Sequence, residues 1–172
     1  FLNGSNKNGM GYREVNWSLA RERQIVLARQ NMYDGSWEKT PSMGWMFVPL
    51  VEYRGGGEAA TLEPLSEHLD AYEAHLAQNF GWGVQACYRG PRLHDTEETK
   101  VVVKKRVDFY KAYRDILESD VVHLRRADGR DLDGILHVNP QLKTRALAVF
   151  FNPLDEDVVT ELATVVVLPA TQ

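Results

Sequence analysis

The stretch Gly44-Trp45-Met46-Phe47-Val48-Pro49-Leu50-Val51-Glu52-Tyr53 runs almost without polar interruption. A strand with one wet face places a polar side chain at every second position. This one therefore calls for cover on both faces, as in a parallel sheet flanked by helices, with Pro49 where no ladder donor is needed. After Gly55, Gly56 and Gly57, the residues Leu65, Leu69, Tyr72, Leu76 and Phe80 recur at helical spacing, with Pro64 suited to a first turn and Gly81 to a stop. Gly83 to Arg89 reads as a second short strand, broken by Gly90-Pro91. A long helix then runs to about Ser119, capped by Asp95 with Glu98 three residues on, and Val103, Val107, Phe109, Tyr110, Tyr113 and Ile116 form its broad apolar face. An earlier helix starts near Ser18, turns Ile25, Ala28 and Met32 to one side, and stops at Gly35. Strand, helix, strand, helix implies parallel strands joined by crossover helices.

Beyond Asp120 the texture changes. Val121 to Leu124, Gly134 to Val138, Ala146 to Phe151 and Val158 to Leu168 are strand-like, and Asp128-Gly129, Asn139-Pro140 and Asn152-Pro153 supply turns between them. Two parallel strands cannot bury a doubly covered sheet, and the simplest completion is a barrel. The expected fold is thus α/β: residues 1–120 as the C-terminal part of a (β/α)8 TIM barrel, and 121–172 as the start of an antiparallel β-sandwich domain. The polar Asn/Gly-rich loop at 1–17 and the halt after a strand-like run are read as the two ends of a fragment, expected to be inactive alone.

Charge and composition exclude several functions. Twenty basic residues against 24 acidic ones give a net charge of -4, with no Lys/Arg block, so nucleic acid is not an expected partner. No apolar run approaches the roughly 20 residues of a membrane-spanning helix. The single cysteine, Cys87, lies in an apolar strand pattern and reads as a small buried hydrophobe. His68, His75, His123 and His137 lack the spacing of a metal site and read as hydrogen-bonded or solvated groups, and no metal or cofactor is expected.

In a barrel, chemistry collects at the C-terminal ends of the strands and in the loops that follow. That places Glu52, Tyr53 and Arg54 after the first strand and Tyr88, Arg89 and Arg92 at the end of the second, with Tyr12, Arg13, Glu14, Asn16 and Trp17 contributed by the early loop. Aromatic faces beside Arg, Asn and carboxylate groups suit sugar rings and their hydroxyls. Glycosidic hydrolysis needs two carboxyl groups flanking the bond, about 5 Å apart for retention and about 6.5–9.5 Å for inversion. Glu14 and Glu52 are the catalytic candidates, and Tyr12, Arg13, Asn16, Trp17, Tyr53, Arg54, Tyr88 and Arg89 the substrate-binding ones. Trp37 and Trp45 serve equally as sugar platforms or as core anchors. The Arg54-Gly55-Gly56-Gly57 stretch before a helix also fits a phosphate site, although Glu58 beside it would repel the anion.

The run Tyr12-Arg13-Glu14-Val15-Asn16-Trp17, the helix with Arg21, Arg23 and Gln24, the strand Gly44 to Tyr53, and the long helix leading into β strands resemble glycoside hydrolases of the α-galactosidase (melibiase) clan. The resemblance spans most of the chain and is architectural. It implies retaining hydrolysis with an aspartate nucleophile on a central barrel strand, upstream of Phe1, and an acid/base aspartate near position 16. Asn16 stands there instead, so either Glu14 takes the acid role or the acid lies elsewhere. The expected function is hydrolysis of O-glycosidic bonds in a carbohydrate substrate, in a secreted or periplasmic enzyme. The alternatives are a phosphosugar-processing barrel enzyme and a carbohydrate-binding module centred on the β unit.

Overall fold

The computed structural model describes residues 21–37, 43–47, 62–89, 92–154 and 156–157, with backbone alone at 21–24, 43–47 and 85–89. The element order is helix α1 (Arg21–Trp37), strand β1 (Met43–Phe47), a short 3-10 helix (Leu65–His68) running into α2 (Leu69–Gly81), β2 (Gln85–Arg89), α3 (Glu97–Leu117), and strands β3 (Asp120–Arg125), β4 (Asp133–Val138) and β5 (Ala146–Phe151). β1 and β2 pair in parallel from Met43↔Gln85 to Phe47↔Arg89, with α2 in the connection between them. β3, β4 and β5 form an antiparallel sheet in that order, with an irregularity between His123 and Arg125. Residues 48–53 of the apolar run and the strand read at 158–168 lie outside the described residues.

The predicted apolar stripe packs into the core except at Leu69, which is partly exposed along a groove. Leu65, Tyr72 and Leu76 join Leu62 in one cluster, with Phe80, Val102 and Val103 packed against it. Tyr72 is fully enclosed, and its hydroxyl donates to the Leu93 carbonyl at 2.7 Å, so the buried ring keeps a partner for its polar end. At the start of α3 the cap is Thr96 rather than Asp95. Thr96 Oγ1 accepts from the Thr99 N–H at 3.2 Å, and Thr99 Oγ1 accepts from the Thr96 N–H at 3.0 Å, completing a reciprocal capping box. Asp95 bonds to the neighbouring element instead. α1 runs through Gly35 to Trp37, because Ser36 and Trp37 continue the helix across that glycine.

A second cluster unites the helices with the antiparallel sheet. Ala28 and Met32 of α1, Trp82 after α2 and Ile135 of β4 are buried together, and Tyr33, Val84, Val121, Val149 and Phe151 pack around them. The α3–β3 junction at Ser119 and Asp120 is thus a change of secondary structure within a shared core. Gly83 makes the α2–β2 turn at φ +64, and a Cβ there would lie 1.9 Å from the Leu117 carbonyl oxygen that closes α3. Only glycine fits both the left-handed backbone and that contact.

Candidate functional site

The parallel register defines one edge at which both strands end. Phe47 is the partner of Arg89 and Met46 of Tyr88, so β1 and β2 end side by side. Tyr88 and Arg89 are placed there by their backbone, their side chains lying outside the description. Tyr12, Arg13, Glu14, Asn16, Trp17, Glu52, Tyr53 and Arg54 lie outside the described residues.

Two carboxylates outside the catalytic candidates organise the described part of this edge. Glu63, just before the helix that follows β1, is buried, and Arg92, three residues past β2, closes on it with Nη2–Oε2 at 2.9 Å and Nε–Oε1 at 3.3 Å. The Arg92 side chain is half exposed, so the pair presents its guanidinium outward and its carboxylate inward. Asp95 accepts from the Ser66 N–H at 3.0 Å and the Ser66 hydroxyl at 3.1 Å on one oxygen, and from Thr99 Oγ1 at 3.0 Å on the other. Partial burial pushes the Asp95 carboxyl up, but the donors from Ser66 and Thr99 outweigh it and hold the group below its ordinary value. Both carboxylates thus fasten the segment after β2 to the start of the helix after β1. An ionised, fully engaged Asp95 is a frame for the edge and a poor proton donor. Arg92 had a sequence signal in its position after a strand, whereas Glu63 sits before Pro64 and reads locally as nothing more than a helix lead.

A buried polar chain crosses the second core cluster. Arg29 of α1 holds Asp133 of β4 through Nε–Oδ1 at 2.8 Å, Nε–Oδ2 at 3.0 Å and Nη2–Oδ2 at 2.8 Å. Its Nη1 lies 3.4 Å from Gln78 Oε1, and Gln78 Nε2 lies 3.4 Å from His75 Nδ1. The guanidinium stacks 5.1 Å over the Phe151 ring. Burial, helped by the Arg29 charge, lowers the His75 pKa to about 4, so the imidazole is neutral at physiological pH. Burial raises the Asp133 pKa, with Arg29 pulling against it. His137 lies deep in β4, its Nε2 donating to the Gly81 carbonyl at 2.8 Å. The histidines read as solvated or hydrogen-bonded are therefore of two kinds: His75 and His137 are buried, while His68 is partly exposed and bonded to the Pro64 carbonyl.

An open groove of about 1280 Å³ runs along Ala71, Ala74 and Ala77 of α2, with Val26, Phe109 and Phe150 among its walls. Among the described residues no group of three or more His, Cys, Asp or Glu side chains is placed to hold a metal ion. Nor is any described helix long and apolar enough to cross a membrane. Comparison with known proteins gives no matching family model, no matching curated protein and no matching solved structure.

Proposed function

We propose that this chain is part of a glycoside hydrolase, its α/β portion supplying late strands of a (β/α)8 barrel and its antiparallel sheet beginning a β-sandwich domain, in the manner of the α-galactosidase clan it resembles. The observation that carries this reading is the parallel, in-register pairing of β1 and β2, which end together at Phe47 and Arg89. In sequence Glu52, Tyr53 and Arg54 follow the first of those ends and Arg92 the second, and parallel α/β enzymes assemble their sites beyond such strand ends. Two parallel strands among the described residues do not close a barrel, and on this reading other strands complete it. The carbohydrate substrate then lies across the strand ends. Glu14 donates its carboxyl proton to the glycosidic oxygen as the anomeric C–O bond breaks, water then supplies the new anomeric hydroxyl and returns a proton to the Glu14 carboxylate, and Glu52 is the second catalytic candidate. Tyr12, Trp17, Tyr53 and Tyr88 offer aromatic surface, and Arg13, Asn16, Arg54 and Arg89 offer donors for hydroxyls. This chemistry needs no cofactor. The phosphosugar alternative would place an anion on Arg54 and the glycines after it, next to Glu58.

Leaving-group kinetics on the full-length protein test the assignment. Glu14→Gln keeps the shape of the acid and loses its proton, so kcat on glycosides with poor leaving groups should fall by about 10²–10⁴-fold, with activated aryl glycosides largely spared. A change confined to KM makes Glu14 a binding residue and moves the acid role to Glu52. Failure to hydrolyse any α- or β-aryl glycoside overturns the hydrolase reading.

A further inference from the structure

We propose that Trp37 and its neighbours form a carbohydrate-binding platform on the outer surface of α1 and β3, built to stack one pyranose ring of an oligo- or polysaccharide. Trp37 ends α1, and the chain runs from it into the start of β1, whereas Glu52 follows the end of that strand. The platform shares its ligand class with the hydrolytic reading but rests on other residues. Its indole is 66% exposed, more than any other large apolar side chain among the described residues. Burying so large an aromatic surface is favourable, and leaving it in water costs free energy that a ligand recovers.

The ring is exposed but held. His123 of β3 makes an edge-to-face contact with Trp37, with ring centroids 4.8 Å apart at 74°, and another with Tyr33 at 4.7 Å and 71°. Ser36 Oγ lies 3.0 Å from His123 Nε2, which fixes the imidazole between the two aromatic rings. The exposure of Trp37 leaves ring surface available to a ligand. A pre-set face loses little side-chain freedom when a ring settles on it.

A carboxylate and a guanidinium lie at the same end of α1. Asp34 is three residues before Trp37 and shares its side of the helix. Arg126 holds it in a fork, Nε–Oδ1 at 2.7 Å and Nη2–Oδ2 at 2.8 Å, and both side chains are half exposed. A carboxylate with outward lone pairs beside a planar guanidinium can take two adjacent hydroxyls, while the apolar face of the pyranose covers the indole. A protein partner would find at Trp37 one exposed aromatic ring beside the Asp34–Arg126 ion pair, by itself too little apolar area for a stable interface.

Native electrophoresis of the full chain through gels containing galactomannan, xyloglucan or soluble starch tests the platform. We expect retardation in at least one gel, an apparent Kd raised roughly five- to tenfold or more by Trp37→Ala, and most of the binding kept by Trp37→Phe. Asp34→Ala should weaken binding to a lesser degree, and circular dichroism should show all three variants folded. Retardation unchanged in Trp37→Ala, or none in any gel, overturns the proposal. A concentration-dependent dimer abolished by Trp37→Ala also overturns it, by assigning the surface to a second copy. Aryl-glycoside hydrolysis measured on the full-length protein separates the two readings: Trp37-dependent retardation without hydrolysis leaves the platform standing and removes the enzyme, and hydrolysis without Trp37-dependent retardation does the reverse.

Discussion

Arg29 and Asp133 are a buried charge pair with three short contacts, and such a pair is judged by what remains when one member goes. Removing the arginine strands a carboxylate in a core with Phe151, Ile135 and Trp82, so Arg29→Met should cost about 3–5 kcal/mol in urea unfolding, whereas Arg29→Met with Asp133→Leu should recover most of it. His75 makes a second prediction, in pH. Its folded pKa is about 4 against an unfolded value near 6.5, so the unfolded chain takes up a proton first as pH falls. Stability is undiminished above about pH 6.5 and is lost progressively toward pH 4, by roughly 3 kcal/mol in total. Asp133, with its pKa raised, works in the opposite direction. The decisive measurement is therefore the difference between wild type and His75→Gln across pH 4–7, whose pH dependence should vanish as the pH rises. None of this network was legible locally: Arg29 sits inside an ordinary helical segment, and its partner is 104 residues away.

The helices and strands were far more legible than their ends. The stripe Leu65, Leu69, Tyr72, Leu76, Phe80 and the long apolar face of α3 announce themselves through spacing, and the three short runs after Asp120 form the antiparallel sheet. The boundaries moved where side-chain chemistry decided them. Thr96 displaced Asp95 as the α3 cap because the Thr99 hydroxyl reaches back to the backbone, a role the sequence pattern gave to Glu98, while Asp95 was drawn to Ser66. Thr96→Ala should thus cost about 1 kcal/mol, seen as a lowered thermal midpoint. The α2–β2 turn is less forgiving. Gly83→Ala adds a Cβ at a positive φ and drives it into the Leu117 carbonyl, so it should be among the most damaging single changes in the chain, lowering the midpoint well beyond Thr96→Ala. Equal midpoints for the two variants would mean that the turn relaxes freely.

The core of the molecule is continuous across position 120. Ala28, Met32 and Trp82 pack on Ile135, and His137 reaches the Gly81 carbonyl, so the α/β portion and the antiparallel sheet bury their faces against each other. Expressed separately, 1–119 and 120–172 should each show weak near-ultraviolet dichroism and no cooperative melt, and mixing them should restore part of the signal. Two independently cooperative transitions would contradict that. Of the candidate site, the parallel pairing of β1 and β2 was legible in the sequence, while the residues at 12–17 and 52–54 lie outside the described residues. The sequence could not disclose the Glu63–Arg92 fastening, which exists only once the segments after the two strands are side by side. The Arg29–Asp133 pair also bears on inheritance. A recombination crossover anywhere between positions 29 and 133 separates the two halves of one bond, so a lineage that exchanges its β portion must acquire a matching residue in α1 or carry a solitary charge in its interior.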